Sequence, residues 1–209
     1  MQELHQKFSD NFAHAAGSVA QVTVFESRAK ALWAARSDLE AAAHDVHQKE
    51  LALHLDEIFG DSLCACYLAL TGMHVPARAL LRRCLELGVV VIAYWDSPVN
   101  FWGWRDHDED VRFSALFAHI QSIGFKTQCE KLSSAPHNLA IIGKDIEGLY
   151  RELSNVVHPK PRNFATRLSD AYSFRPEELA DTIELGARVQ KALAGVFSAR
   201  FPLIRFSPI

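Results

Sequence analysis

The chain lacks an apolar run that could cross a membrane. Its longest uncharged, strongly apolar stretch, Leu87 to Trp95, is nine residues, against the ~20 that a membrane helix needs. The opening Met1 to Phe8 has no basic segment leading into an apolar one, so no export signal is expected. Cysteine is sparse: Cys64, Cys66, Cys84 and Cys129 form no Cys-x-x-Cys pair and no disulfide framework. Four reduced, mostly buried thiols in a cytoplasmic protein are the expectation. No Gly-x-x-x-x-Gly-Lys loop, Gly-x-Ser-x-Gly turn or dinucleotide fingerprint occurs, which removes the common phosphate-loop, hydrolase and Rossmann readings. Neither charge dominates. Lys and Arg total 22 against 25 for Asp and Glu, a net charge of −3. Bulk electrostatic attraction to nucleic acid is excluded, and any RNA or DNA site must be a local patch.

What is present is an ordinary globular composition. Hydrophobic residues are 49% and charged residues 22% of 209. That length suits one domain with a core of its own. Apolar residues recur every three to four positions nearly throughout, and no Asn-Gly or Asp-Gly hairpin signal appears, so the fold class is all-α. The pattern predicts a short helix over 2–16 and a long one over 22–47. A third runs from Leu51 to Gly72, with a bend at Gly60, and a fourth from Pro76 to Trp95. Gly72 reads as a C′ residue and Pro76 as a helix start. The aromatic knot Phe101, Trp102, Trp104 precedes an acidic run, Asp106 to Asp110, expected to open a helix reaching Ser122. A short helix after Gly124, one from about Pro136 to His158, and a last one from Pro176 to Ala199 complete the pattern. The whole, 1–209, reads as one all-α domain without repeats.

Chemistry concentrates near the end of the 136–158 helix. Leu139, Ile142, Ile146, Leu149, Leu153 and Val156 fall on one narrow arc at ~100° per residue. Lys144, Glu147, Arg151, Ser154, Asn155 and His158 fall opposite. Arg151 and His158, seven apart, differ by only ~20° around the axis. Arginine can fork two donors onto a phosphate, and histidine can move a proton near neutral pH. His158 precedes a proline, so it should sit at the helix end, where the dipole favours its protonated form. Residues 158–167 then carry Lys160, Arg162 and Arg167 and no acid, the one marked basic segment. A plainer reading stands beside this one: Arg151 pairs with Glu147 at i,i+4, His158 is a helix-end residue, and the basic loop is solvated surface.

An all-α chain with Arg-x₆-His late in a helix resembles the HEPN superfamily, the "higher eukaryotes and prokaryotes nucleotide-binding" domains. The wording Tyr150-Arg-Glu-Leu-Ser154 followed by His158-Pro adds to the likeness. The segment Ala77-Arg78-Ala-Leu-Leu-Arg82-Arg-Cys-Leu-Glu86 also resembles the Arg- and Glu-bearing helix of uncharacterised bacterial relatives. The resemblance covers residues 51–199 as a HEPN-like bundle, leaving 1–50 as an N-terminal helical extension. Glu152 departs from the Asn, Asp or His more usual after the arginine. The resemblance implies a homodimer whose paired motifs form a metal-independent RNA-cleaving cleft, with no cofactor. It casts Arg151, His158, Asn155 and Ser154 as the catalytic group and Lys160, Arg162 and Arg167 as RNA-binding. A toxin or phage-defence setting, with an antitoxin protein as partner, follows from the resemblance alone. The alternative is a non-catalytic module that binds a nucleotide or a partner protein through the same face.

Other constellations compete less well. His44 and His47 have the i,i+3 spacing of helical metal ligands, with Glu50, His54 and Asp56 nearby, but no second matching motif exists. Asp106 to Asp110 lacks the spacing and glycine of a calcium loop. Trp102 and Trp104 could stack bases, although tryptophans in a helical bundle more often serve the core or an interface. The apolar Leu87–Trp95 run and the tryptophan knot supply more apolar surface than one helical layer easily covers, which also points to a dimer.

Overall fold

The computed structural model describes residues 2–107, 109–133, 138–157 and 172–206. Among these residues every regular element is helical and no strand occurs. The chain opens with α1 (Gln2–His14), a 3-10 turn (Ala15–Ser18), α2 (Val19–Ala34) and α3 (Arg36–Ala41). Two long helices follow, α4 (Val46–Leu70) and α5 (His74–Trp95). Three short ones come next: α6 (Pro98–His107), α7 (Phe113–Gln121) and α8 (Ile123–Leu132). Finally α9 (Leu139–Val157) packs against α5, and α10 (Pro176–Arg200) packs against both long helices.

The middle of the bundle is α5, which contacts α4, α7, α9 and α10. Its second half, Leu87 to Ala93, is buried on every side. A helix apolar all round has no face to offer water, so the other helices enclose it. This burial is achieved within a single chain. Leu87 to Ala93 and Trp95 therefore offer no apolar surface to a partner, contrary to the expectation drawn from the run's composition. Trp102 and Trp104 are half-buried and pack on the core around Phe101.

Local chemistry sets the turns. The α4–α5 corner closes with Met73 N–H on the Leu68 carbonyl at 2.8 Å and Gly72 N–H on the Ala69 carbonyl at 3.0 Å. Gly72 takes φ +84° there, the left-handed position that glycine fills without a Cβ penalty. The buried Asn11 amide donates to the Thr71 carbonyl at 2.9 Å and the Tyr172 carbonyl at 2.7 Å. It thereby ties α1 to this corner and to the start of the last helix. Where α2 crosses α10, a Cβ on Gly186 would collide with the ring of the buried Phe25.

Three boundaries differ from the periodic reading. The stripe over 22–47 is broken into α2, α3 and the start of α4. Asp45 and Gln48 form a capping box that begins a new helix at Val46, so the apolar period continues across a break in the backbone. α5 starts at His74, two residues before Pro76, because a proline in the first turn forfeits no intrahelical hydrogen bond. The acidic run opens no helix: Asp106 lies in the last turn of α6, and α7 begins only at Phe113. α4 runs unbroken through Gly60. No helix among the described residues is long and apolar enough to cross a membrane.

Candidate functional site

The amphipathic division of α9 is as the spacing predicts. Leu139, Ile146, Leu149 and Leu153 are buried and Ile142 is half-buried, while Lys144, Arg151 and Asn155 are exposed. The Arg151 side chain is 72% exposed and pairs with Glu147 one turn back. Ser154 sits between this face and the core. Its Oγ is shut off from solvent and has no hydrogen-bond partner among the described residues. Glu152, next to Arg151, reaches across to Arg188 of α10 at 3.0 Å. One helix surface thus presents Arg151 and Asn155, whereas the Ser154 hydroxyl, which the spacing puts on the same arc, is closed to solvent. His158, Lys160, Arg162 and Arg167 lie outside the described residues.

A polar seam runs beside that surface, where α5 meets α9 and α10. Arg82 donates from Nη2 to the Tyr150 hydroxyl at 3.1 Å and from Nε to Glu86 at 2.9 Å. Its guanidinium carbon lies 5.0 Å from the centre of the Tyr150 ring, and Tyr150 stacks on Phe113 at 3.8 Å. One turn earlier Arg78 donates to Thr182 Oγ1 at 3.3 Å. The same hydroxyl donates to the Glu178 carbonyl at 2.7 Å and lies 3.4 Å from Nδ1 of the buried His74. His74 Nε2 stands 3.9 Å from the Glu178 carboxylate. Burial lowers the pKa of His74 below the usual histidine value. Arg78 and Arg175 push the same way, and Glu178 opposes them. The sequence signals Arg78, Arg82 and Glu86 as one stripe. His74, Tyr150 and Thr182 carry no such signal, because their partners lie on helices distant in the chain.

The competing histidines separate. His47 is buried, with its Nε2 3.1 Å from the Trp95 carbonyl, and Gln48 donates to the same oxygen at 3.0 Å. His44 lies before the start of α4, so the i,i+3 pairing on one helix is lost. His54 faces Glu57 at 3.2 Å. Among the described residues no group of three or more potential metal ligands converges. Trp102 lies under the Arg105 guanidinium at 5.2 Å and edge-on to Phe101 at 4.9 Å, a packing arrangement.

On the flank of α9 away from the seam, α9 and α10 border an open cleft of about 750 Å³, reached also by α2. Arg28, Lys144, Arg188 and Lys191 line it, with Asp145 as the one carboxylate and Gln190 as a buried amide. No family model matches the chain, and neither does any curated protein or any solved structure.

Proposed function

We propose that the chain is a HEPN-type, metal-independent endoribonuclease that acts as a homodimer. The observation that carries this reading is the placement of Arg151. It stands 72% exposed on a helix whose opposite face is buried in the core, as a phosphate-binding arginine must. In this reading two copies bring their Arg151–His158 pairs to one groove. One His158 takes the proton from the RNA 2′-hydroxyl, and its oxygen attacks the adjacent phosphorus. The bond to the 5′-oxygen breaks, and a proton from the second His158 goes to that leaving oxygen. Arg151 balances the charge on the phosphoryl oxygens. Ser154 and Asn155 orient the phosphate or the imidazole, and Lys160, Arg162 and Arg167 hold the RNA backbone. An antitoxin protein that covered this groove would silence it.

The test is RNA cleavage by the purified protein in EDTA. Wild type should leave a 2′,3′-cyclic phosphate, and His158→Ala should cut ~10²–10⁴-fold more slowly, the range for positioned acid–base groups. Arg151→Lys should also cut poorly, since lysine keeps the charge and loses the fork.

A second reading, a non-catalytic module that binds a nucleotide or a partner protein through this face, draws on the Arg151–Glu147 pair. A guanidinium already held by a carboxylate in its own helix is less available to a phosphate. RNA or protein binding without cleavage by the wild type would favour this reading.

A further inference from the structure

We propose that the outward face of α4 docks a basic amphipathic helix of a partner protein. This face is distinct from the α9 surface assigned to RNA, and the inference does not depend on that assignment. From Leu53 to Tyr67 the exposed positions of α4 are 53, 56, 57, 60, 63, 64 and 67. At ~100° per residue they fall on one arc, with Leu53, Gly60 and Tyr67 along its midline and Leu63 beside it. No described element covers that arc. Neighbouring helices widen its apolar strip. Phe12 of α1 packs on Tyr67 at 5.9 Å between ring centres, and Trp33 of α2 stacks on Phe59 at 5.1 Å. Phe12, Trp33 and Tyr67 are each about half open to solvent. A whole aromatic side chain can bury ~150–250 Å², so these three leave ~300 Å² exposed. With the two exposed leucines the strip reaches the size that marks an interaction site. A Cβ on Gly60 would meet nothing within 4 Å, which leaves room at the midpoint for a partner's side chain.

Charge decides what covers the strip. Three arginines border α4, and each is shared between two carboxylates. Arg36 serves Asp56 at 3.0 Å and Glu40 at 3.4 Å. Arg83 serves Glu57 and Asp61. Arg105 serves Glu50 at 2.7 Å and Asp106 at 3.5 Å. Lys30 and Glu26 cancel. Counting Lys49, one turn before Leu53, the surroundings of the strip keep a surplus of two negative charges. Glu50, Glu57 and Asp61 follow one edge of the arc and Asp56 the other, so acid runs along both sides of the apolar strip. A partner's lysine or arginine supplies the cation that each shared arginine leaves wanting. A second copy of this chain would bring like charge to like on this face, and so would nucleic acid or an anionic membrane. An amphipathic helix with an apolar stripe and basic residues on both flanks matches strip and edges together. The face from Leu53 to Tyr67 is ~21 Å long, about four helical turns.

The probe is a fluorescent peptide of about 18 residues with leucine and lysine in helical period, beside its leucine–glutamate counterpart. Fluorescence anisotropy with the full chain should show saturable binding of the lysine peptide at ~100 µM or below, weakening as salt rises. The glutamate peptide should bind at least ~10-fold more weakly. Leu63→Ser and Tyr67→Ser should each weaken the lysine peptide by a similar factor. Their helical circular dichroism should stay unchanged, since both side chains are exposed. Glu57→Lys should also weaken it, and Arg83 retains Asp61 in that variant. Cys64 is exposed on the same arc, so saturating peptide should slow its alkylation several-fold. Arg151→Glu should bind the peptide as wild type does, which separates this face from the proposed RNA groove. Absence of saturable binding at ~1 mM would overturn the proposal. So would equal affinity for the two peptides, unchanged affinity in Leu63→Ser and Tyr67→Ser, or Cys64 alkylation unaffected at saturation. Self-association of the chain that Tyr67→Ser abolishes would put a second copy on the face and overturn it as well.

Discussion

Burial divides the four cysteines. Cys64 is exposed, whereas Cys66, Cys84 and Cys129 are buried. Burial pushes the thiols of Cys66 and Cys129 up to about 11 and that of Cys84 to about 12. The thiolate is the nucleophile, so these three are inert near neutral pH. A thiol reagent at pH 7.5 should therefore modify one cysteine of the native protein rapidly and the other three only after denaturation. Mass spectrometry of the labelled protein checks this. The histidines have an opposite consequence. His74 and His119 are both lowered, in each case chiefly by burial. The folded state then binds fewer protons than the unfolded state, whose histidines titrate near ~6.5. Stability is accordingly greatest above that value and falls as the pH drops through it. Urea unfolding between pH 8 and pH 5 should show this decline, and His74→Gln should make it shallower. An unchanged slope in that variant would assign the effect elsewhere.

At the scale of the helix, α9 separates packing from chemistry. Leu153 is fully buried, and Leu153→Ala should cost ~2–5 kcal/mol by leaving a cavity. Arg151→Ala should stay within ~0.5 kcal/mol, because an exposed i,i+4 pair contributes little. Chemical denaturation of the two variants tests the division, and a large loss in Arg151→Ala would make that residue structural. In α4, Gly60 is exposed and a Cβ there would meet nothing within 4 Å. Gly60→Ala should stabilise the protein by ~0.5–1 kcal/mol through helix propensity alone.

For the whole molecule, the apolar centre of the bundle is satisfied within one chain, so the proposed dimer must use an outer face, and the proposal places it on α9. If the Arg151 face forms a shared groove, light scattering at micromolar concentration should report a dimer mass. Charge reversal at Arg151 should then shift the protein toward monomer while leaving its helical circular dichroism unchanged. A monomer across that concentration range would remove the two-fold groove and leave the binding-module reading ahead.

The periodicity of apolar residues by itself determined that the chain is helical, which arc of α9 is buried and that the Leu87–Ala93 stretch is central, and the glycine at position 72 marked the end of α4. Each of these depends on neighbours within a turn or two, where geometry follows from spacing. The break at Asp45 was not legible, because an apolar period continues across a short turn, and the end of α6 at His107 was not, because acids that suit a helix N-terminus occur equally in a loop. Nor was the seam. Arg78 finds Thr182 and Arg82 finds Tyr150 only once α5, α9 and α10 pack together, and Asn11 finds the Tyr172 carbonyl only once α1 docks beside the start of α10. The gathering of Arg28, Lys144, Arg188 and Lys191 along one cleft was likewise decided by tertiary structure. Spacing along one helix says nothing of which face another helix brings against it.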